Sequence, residues 1–478
     1  MALQVKHAKT PAKASHLVHW VTDAKKTDIQ DVALKSAQQL AVKNGVKVAQ
    51  FAADGQVQTV VITDAKSGAA GEREAIRSLA FQVLSGLNAQ KMTSASFVNH
   101  TGNPEVTLLA VESMVLSNYQ FLELFSDSEA KKNSFAQLAL VDPNLDAKQL
   151  QRVLVIADAV CWSRDLVNRP LSHLNASDLA SSIAAAGEEF GFQVEVLNKQ
   201  RIVALKMGGL LAVNRGSVDP PTFTIAEYKP KGAVNSKPLV LVGKGVVYDT
   251  GGMSLKPTPQ SMDFMKSDMA GAAAMAGVLR AVAAMKLPVH VVALIPATDN
   301  RTDGNAYVPG DVITMYDGTT VEVKNTDAEG RLLLADALTY AKKYDPLLVI
   351  DAATLTGAAV RAIGNYATCV MATADDQVMA TLDACGNDTY ERLVRFPLWS
   401  EYAEEIKSEI ADLSNLGKGE GGQISAAKFL EHFTNYPWVH LDIAGPAYLH
   451  GRASYRTSGG TATGVRLLVR FIEKHFKV

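Results

Sequence analysis

A series of short apolar runs separated by helical patterns constrains the fold of this chain more than any other feature. Each run is rich in β-branched or other apolar residues, and the runs lie at 192–197, 238–242, 289–295, 347–351 and 439–443. Strands that are apolar on both faces and joined by helices predict a mainly parallel sheet with helices covering both faces. Ligands of such sheets bind beyond the carboxyl ends of the strands, so the residues that follow each run are the first candidates for a site.

The first part of the chain shows the same alternation and indicates a separate α/β domain. Strands are predicted at 58–62 and 137–141, and helices at 72–87, 104–125 and 146–165, with a break at 142–144. We therefore predict an α/β fold of two domains, a smaller N-terminal α/β domain at 1–148 and a larger C-terminal domain at 149–478. The smaller domain shows no cluster of His, Cys, Asp and Glu, which favours an oligomerisation or accessory role over nucleotide or nucleic-acid binding.

Composition and charge are typical of a soluble globular enzyme. The 478 residues are 47% hydrophobic and 20% charged, and the formal net charge of -2 gives no field that attracts nucleic acid or an anionic membrane. The cysteines Cys161, Cys369 and Cys385 lack Cys-x-x-Cys spacing and are interpreted as buried thiols in a reducing compartment. No signal-peptide pattern is present, and the longest apolar run, 269–279, is too short to span a bilayer. We therefore expect a cytoplasmic protein without a membrane partner.

The stretch 325–334 reads Asn-Thr-Asp-Ala-Glu-Gly-Arg-Leu-Leu-Leu and crowds acids ahead of a helical pattern. In an extended segment, Asp327 and Glu329 would leave the same face, because side chains of a strand alternate. Gly330 would permit a tight turn, and Arg331 would open an apolar helix that anchors the loop. Two anions held side by side favour the binding of a cation between them. The alternative is that a helix N-terminus carries these acids only because its dipole favours them.

The loop after the run 238–242 supplies further charged residues, Lys244, Asp249 and Lys256. A phosphate-binding loop is not favoured, because the Gly-x-x-x-x-Gly-Lys-Ser/Thr spacing is absent and Asp249 would repel a phosphate. A helix is predicted at 261–285, capped by Ser261 or Asp263, with Asp268 in its early part and small residues that let another backbone approach closely. Taken singly, each of these charged residues is typical of a surface charge or a cap.

As a set, the acids Asp249, Asp268, Asp327 and Glu329 converge on the predicted crevice at the strand ends. Bringing such anions together costs several kcal/mol unless cations neutralise them, and two divalent metal ions would do so. Because the set contains no His, ligand type does not choose zinc over manganese or magnesium. A lysine beside two dications would lose its proton, and the neutral amine could then act as a ligand.

Several of these segments resemble the leucyl (cytosol) aminopeptidases, a family of dinuclear zinc or manganese exopeptidases. The resemblance covers roughly 150–478 and rests on the runs 242–245, 249–252, 266–274, 325–332, 353–357 and 440–445 together with Lys256. It implies that 149–478 is a catalytic dinuclear metallopeptidase domain, that the protein is a homo-hexamer, and that it cleaves peptides with a free N-terminus, preferably after large apolar residues. The first domain resembles the family only weakly, and the loop 257–262 is one residue longer than the commonest family spacing.

The resemblance also implies a role for individual residues. Lys244, Asp249, Asp268 and Glu329 would hold the tighter metal ion. Asp249, Glu329 and Asp327, the last also through its carbonyl oxygen, would hold the more exchangeable one, so that two divalent ions (Zn²⁺ and/or Mn²⁺) bind per subunit.

Three further roles follow from the same resemblance. Lys256 would polarise the scissile carbonyl. Arg331 would hold a bicarbonate ion that shuttles protons as the general base. The pocket for the first side chain would be lined by Met265, Thr354 and Gly357.

Two alternatives remain open at the level of the sequence. Another dinuclear hydrolase, such as a phosphoesterase, is conceivable, although such enzymes usually draw on His ligands that this set lacks. The second alternative is a family member with an additional DNA-binding regulatory role. Salt-dependent retention on duplex DNA would reveal that role. Trp438, His440 and Asp442 fall on a predicted strand and are interpreted as core or supporting residues, whereas Asp351 could be either.

Overall fold

A computed structural model describes residues 3–12, 16–22, 29–63 and 70–478. The chain divides into two compact units, unit 1 (Met1–Asp158 with Gly451–Ser458) and unit 2 (Ala159–His450 with Gly459–Val478). The division falls inside a long helix, Ala147–Asn168. The domain boundary predicted between 148 and 149 lies in the first turn of that helix.

Unit 1 alternates strands and helices as the sequence predicts. Its described strands are β1 (Gln4–His7), β2 (His16–Val21), β3 (Val48–Ala53), β4 (Gln56–Ile62), β5 (Ser94–Asn99) and β6 (Gln137–Val141). Its described helices are α1 (Val32–Lys43), α2 (Ala70–Ala89), α3 (Pro104–Asn118), α4 (Ser128–Lys131) and α5 (Ala147–Asn168), which continues into unit 2. Within the described residues these strands form a six-stranded sheet of order β1-β6-β5-β2-β4-β3, parallel except for β3 against β4.

The helix predicted at 104–125 is wrong over its last seven residues, 119–125. Helix α3 ends at Asn118, because the backbone of Tyr119 is extended (φ -58°, ψ 135°). The Asn118 side chain donates to the backbone carbonyl of Phe135 (3.0 Å). The backbone carbonyl of Asn118 accepts from the Asn133 side chain (3.2 Å). These bonds to a distant loop replace those of another helical turn, which local periodicity cannot anticipate.

Unit 2 holds the larger sheet. Its strands are β7 (Gln193–Leu197), β8 (Thr222–Tyr228), β9 (Leu239–Gly243), β10 (Gly245–Asp249), β11 (Val291–Asn300), β12 (Val312–Thr314), β13 (Thr320–Glu322), β14 (Leu348–Ala353), β15 (Thr368–Ala372), β16 (Leu393–Arg395), β17 (Leu413–Ser414), β18 (Trp438–Asp442), β19 (Tyr448–Leu449) and β20 (Gly459–Gly460). The strand predictions near 192, 238, 347 and 439 are each confirmed to within a residue or two at both ends.

The helices of unit 2 fall between these strands. They are α6 (Ala176–Phe190), α7 (Lys199–Leu205), α8 (Gly208–Asn214), α9 (Ala270–Ala284), α10 (Gly330–Ala341), α11 (Gly357–Ile363), α12 (Asp376–Thr389), α13 (Glu401–Glu405), α14 (Gly422–Glu431) and α15 (Val465–Phe476), with 3₁₀ helices at Leu171–His173, Met262–Met269 and Lys342–Tyr344. Across the described residues, no helix combines the length and apolar character that crossing a bilayer requires.

The predicted α/β fold, with a mainly parallel sheet covered on both faces, is confirmed. Within unit 2, which the structure describes throughout, nine strands pair in the order β16-β15-β18-β14-β9-β11-β8-β7, with β10 beside β11. The central pairs are parallel, whereas β8 pairs antiparallel with both β11 and β7, and β15 pairs antiparallel with β18. Val242 belongs to the core that α10 covers, and a Cβ on the next residue, Gly243, would meet Ala272 of α9 (2.6 Å from its Cα). Because neighbouring strand residues point to opposite faces, the two helices lie on opposite sides of the sheet.

The predicted helix at 261–285 is divided in two. Residues Met262–Met269 form a 3₁₀ helix, in which Ser261 makes no side-chain cap, and α9 begins at Ala270. Asp268 therefore lies at the end of the 3₁₀ segment rather than inside an α-helix. The small residues of α9 allow the helix to pack closely against the sheet, as predicted. Gly271 lies against the carbonyl of Ala352 in β14 and leaves no room for a Cβ.

Strand β11 runs further than predicted and brings a polar residue to the site. The apolar run predicted as this strand ends at 295, and the next residue, Pro296, lacks an N–H and is unusual in central strands. In the structure Pro296 keeps the register with Phe223 of β8, and the strand continues to Asn300. Asn300 consequently reaches the carboxyl end of the sheet.

Candidate metal centre

The carboxyl ends of neighbouring strands in unit 2 deliver the predicted charged residues to one place. Lys244 directly follows β9, and Asp249 is the last residue of β10. Thr354 follows β14, and Glu329 immediately precedes α10. The rule that ligands gather at strand ends therefore selects the correct edge of the sheet.

Asp249, Asp268 and Glu329 form a buried acidic cluster. Each offers a carboxylate oxygen, and these oxygens lie within 4.8 Å of one another. In the parts of the chain that the structure describes, this is the only group of three or more His, Cys, Asp or Glu residues arranged so closely. The side chains of Asp249, Asp268 and Glu329 are 3%, 5% and 1% exposed, so water does not screen their mutual repulsion.

Lys244 and Lys256 connect the acids. Lys244 Nζ lies 2.9 Å from Asp268 Oδ2 and 2.9 Å from Glu329 Oε1. Lys256 Nζ lies 2.9 Å from Asp249 Oδ2 and also contacts Asp327 Oδ1. Asp327 thus joins the cluster through Lys256, and with a 31% exposed side chain it lies at the open side of the centre.

Burial and mutual repulsion raise the pKa of most of these acids. Burial raises the pKa of Asp268 to about 7. Burial, together with Glu329 and Asp268, raises the pKa of Asp249 well above its usual range, and burial with Glu329 raises the pKa of Asp327. Burial alone would also raise the pKa of Glu329, but Lys244 and Lys256 lower it below its ordinary value. The cluster therefore holds more carboxylate than the chain's own cations neutralise.

The pKa values of the two lysines are also raised, which favours their charged forms. Burial by itself would lower the pKa of Lys244, but Asp268, Glu329 and Asp249 outweigh burial and raise it. The pKa of Lys256 is raised in the same way, mainly by Asp249. In the absence of other cations, both side chains are therefore charged ammonium groups whose positive charge holds the acids together.

The donor set fits divalent metal ions. Glu329 Oε2 is buried and accepts no hydrogen bond from any described residue, which is costly unless a cation or water meets it. Carboxylate oxygens in a cluster of this size are suitable ligands for Mn²⁺, Mg²⁺ or Zn²⁺. The residues around the centre thus match what binding of divalent ions requires.

Arg331 places a guanidinium beside the acids but pairs with none of them directly. It is 5% exposed, and its Nε and Nη1 have no hydrogen-bond partner among the described residues. Burial lowers its pKa to about 10, although Glu329 and Asp442 act in the opposite direction. A buried cation with open N–H donors is suited to hold a small anion.

Of the residues predicted to line the pocket for the first side chain, Thr354 is hydrogen-bonded to residues of the centre. Its hydroxyl donates to Asp268 Oδ1 (2.7 Å), and its carbonyl accepts from Lys244 Nζ (2.9 Å). Gly357 opens α11, and Met265 lies half-buried in the 3₁₀ helix three residues before Asp268. The pocket-lining roles of Met265, Thr354 and Gly357 stay predictions.

Asparagine residues support the centre, and sequence reasoning did not find them. Asn300 donates to Asp249 Oδ1 (2.8 Å) and to the carbonyl of Thr326 (3.0 Å). Asn415 bonds to the backbone around Asn325. The strand-end rule would have found Asn300 if β11 had been predicted to its true end, whereas nothing in the local sequence distinguishes Asn415 from an ordinary loop residue.

The strand β18 residues interpreted as core are confirmed as buried. Asp351 accepts from His440 Nδ1 (2.6 Å) and from Trp438 Nε1 (2.7 Å), and all are fully buried. Burial would lower the pKa of His440, but Asp351 outweighs burial and raises it. Asp442 accepts from the hydroxyl of Thr356 (2.7 Å).

The geometry predicted for the acidic stretch is wrong in two respects, the extended segment and the role of Gly330. Residues 326 and 327 form a turn rather than an extended segment, so Asp327 meets Lys256 while Glu329 meets Lys244. Gly330 does not have a positive φ and is not needed for a tight turn. It is needed because Lys244 passes over it, and a Cβ at this position would lie 2.6 Å from Lys244 Nζ.

Replacing Gly330 by alanine is expected to displace Lys244 and to weaken the centre. A Cβ at 2.6 Å from Nζ forces the lysine to move away from Glu329 and Asp268. We expect a reduced melting temperature and weaker binding of Mn²⁺, measured by thermal unfolding and metal titration. The control is Gly86→Ala in helix α2, where a Cβ meets no described atom within 4 Å. That change should be neutral or stabilise by about 0.5–1 kcal/mol, so equal behaviour of the two variants would contradict the explanation.

Comparison with known proteins gives one consistent family. Residues 161–469 match the catalytic domain of the cytosol aminopeptidase family. The probable cytosol aminopeptidase of Chlorobium luteolum is 52% identical over 324 residues, which are 67% of this chain and 63% of that relative's length. The chain thus spans somewhat less than two thirds of that relative.

Solved structures agree with the sequence match. The bottromycin maturation enzyme BotP in complex with Mn has a TM-score of 0.85 and 31% identity, covering 97% of this chain and 100% of that one. A mutant of tomato leucine aminopeptidase has a TM-score of 0.85 and 25% identity, covering 99% of this chain and 96% of that one. The similarity therefore extends over both units of the fold.

Proposed function

The chain belongs to the cytosol aminopeptidase family of metal-dependent peptidases, and we propose that it is an aminopeptidase. It would release N-terminal residues, preferably large apolar ones, from peptides with a free amino end. The observation that carries this proposal is the buried cluster of Asp249, Asp268 and Glu329, bridged by Lys244 and bordered by Lys256. Such a cluster is expensive to bury and is suited to metal-assisted hydrolysis.

The proposed cofactors are two divalent metal ions per chain, Zn²⁺ and/or Mn²⁺. Lys244, Asp249, Asp268 and Glu329 would hold one ion, and Asp249, Asp327 and Glu329 the other. Glu329 Oε2, which accepts no hydrogen bond from the part of the chain that the structure describes, and the raised pKa values of Asp249 and Asp268 support this assignment. Bound there, the ions would supply Lewis acidity toward the scissile carbonyl and would activate water near neutral pH.

Residues of the chain would polarise the scissile carbonyl, transfer protons and contact the substrate. The Lys256 ammonium, 14% exposed at the open side of the centre, would donate to the scissile carbonyl oxygen as negative charge develops on it. The buried Arg331 guanidinium would hold bicarbonate through its open N–H donors, and that anion would accept and return protons. Met265, Thr354 and Gly357 would contact the first side chain of the peptide.

Assembly and location complete the proposal. We propose a homo-hexamer that works in the cytoplasm, with unit 1 in an oligomerisation or accessory role, as the family resemblance implies. An additional DNA-binding role is not proposed, because no feature of the described residues favours it.

Hydrolysis of leucine anilide, compared with its amino-blocked analogue, tests the proposed function. We expect turnover of the free amine only, loss of turnover after chelator and dialysis, and recovery on adding Mn²⁺ or Zn²⁺. A matched assay with a phosphomonoester addresses the phosphoesterase alternative. Equal activity on the blocked analogue, or full activity of the chelated protein, would refute the proposal.

A further inference from the structure

Asn415 is a buried asparagine that holds the backbone of the acidic stretch from a distant part of the chain. It follows β17, which pairs in parallel with β13, and its N–H donates to the carbonyl of Glu322 (3.0 Å). Its side chain is fully buried. This pairing fixes Asn415 beside the segment that leads from β13 to α10.

Both ends of the Asn415 amide are used by that segment. The Oδ1 atom accepts from the N–H groups of Lys324 (2.8 Å) and Asn325 (3.3 Å). The Nδ2 group donates to the carbonyl of Asn325 (2.7 Å), with a longer contact to that of Ala328 (3.5 Å). One side chain therefore closes the backbone around the turn that presents Asp327.

Other side chains complete this arrangement. The carbonyl of Thr326 accepts from Asn300 Nδ2 (3.0 Å) and from the hydroxyl of Tyr307 (2.7 Å). The side chain of Asn325 accepts from the N–H of Asp327 (2.7 Å). The carbonyls on both sides of Asp327 are thus occupied, while the carbonyl of Asp327 accepts no hydrogen bond from any described residue.

We propose that Asn415 is a positioning residue for the metal centre, which sets the affinity of the ion that Asp327 holds. Its side chain bonds to the backbone of Lys324, Asn325 and Ala328 and not to the acids themselves, so it acts by fixing the turn that carries Asp327. This inference rests on the proposed function, because it assigns Asn415 to the same pair of divalent ions. Residues that orient metal ligands in this way typically change metal affinity about 10- to 100-fold when they are removed.

The chain provides a matched control in Asn235. This residue is also buried (8% exposed), and both ends of its amide bond to backbone. Its Oδ1 accepts from the N–H of His290 (2.8 Å), and its Nδ2 donates to the carbonyl of His290 (2.9 Å). It precedes β9 at the amino end, whereas Lys244 and the acidic cluster lie at the carboxyl end. Asn235→Ala should therefore cost stability without reaching the centre.

Titration of the metal-free protein with Mn²⁺ tests the proposal. We expect Asn415→Ala and Asn235→Ala to lower the melting temperature by similar amounts, while only Asn415→Ala weakens binding of the second equivalent of Mn²⁺ by about 10-fold or more. Asn415→Asp serves as a second variant, because it keeps the bonds accepted from Lys324 and Asn325 and loses the donated ones. It should fold and weaken the second equivalent as well.

The outcomes separate this inference from the proposed function. If the wild-type protein fails to bind two equivalents of Mn²⁺, the proposed function fails first. If the wild-type protein binds both, and the Asn415 variants bind the second equivalent as tightly as Asn235→Ala does, the positioning role of Asn415 is overturned while the proposed function stands.

Discussion

Replacing Glu329 by glutamine is expected to remove bound metal and activity together. Glu329 Oε1 contacts Lys244 (2.9 Å), and Oε2 is buried with no hydrogen-bond partner among the described residues, so a neutral amide would lose the negative charge and place N–H donors where a cation is expected. We expect metal content below half of the wild-type value after dialysis and a loss of turnover by orders of magnitude. Elemental analysis and hydrolysis of leucine anilide measure these effects.

Asp336→Asn is the control for this substitution, because it changes a buried acid on α10, the helix that Glu329 immediately precedes. The Asp336 carboxylate is fully buried and accepts from the N–H groups of Leu210 (2.9 Å) and Tyr316 (3.0 Å). An amide there directs N–H₂ at an N–H donor and should lower stability, yet metal content should stay at the wild-type level. Full metal occupancy in Glu329→Gln would contradict the bridging role of Glu329.

The acids of the centre could be anticipated from the sequence because their cause is local. Apolar runs predict parallel strands, and parallel strands place their carboxyl ends at one edge. Lys244 follows such a run directly, and Asp249 lies five residues further on in the same segment. Repulsion among the acids then points to cations. That reasoning needs only the order of residues along the chain, and the structure brings these residues together.

The supporting residues could not be anticipated, because their causes are distant in sequence. Asn415 reaches Asn325 across ninety positions, through the pairing of β17 with β13. Gly330 is required by the path of Lys244 rather than by its own backbone. Asn300 lies beyond the predicted end of β11, because the strand continues through Pro296, which pairs with β8. Each depends on which segments become neighbours, and periodicity carries no such information.

The remaining large effect is expected at Lys256, where alanine should abolish most turnover and leave metal binding intact. Lys256 Nζ lies 2.9 Å from Asp249 Oδ2 and contacts Asp327, so its charge is held beside the acids and toward the open side. Loss of one donor to a developing oxyanion costs about 100- to 1,000-fold in kcat. Because Lys256 is itself a cation beside the acids, its removal takes away a competitor for divalent ions, and metal content should not fall.

Steady-state kinetics and elemental analysis distinguish this role from a structural one. Lys428→Ala is the control, because the Lys428 side chain is 15% exposed against 14% for Lys256 and is also ion-paired, with Glu431 (2.5 Å). The control should keep wild-type kcat and metal content. A donor to the transition state predicts a fall in kcat with little change in KM, whereas a structural partner of the acids predicts loss of metal. Unchanged turnover in Lys256→Ala would exclude Lys256 from the reaction, since no other described ammonium contacts both Asp249 and Asp327.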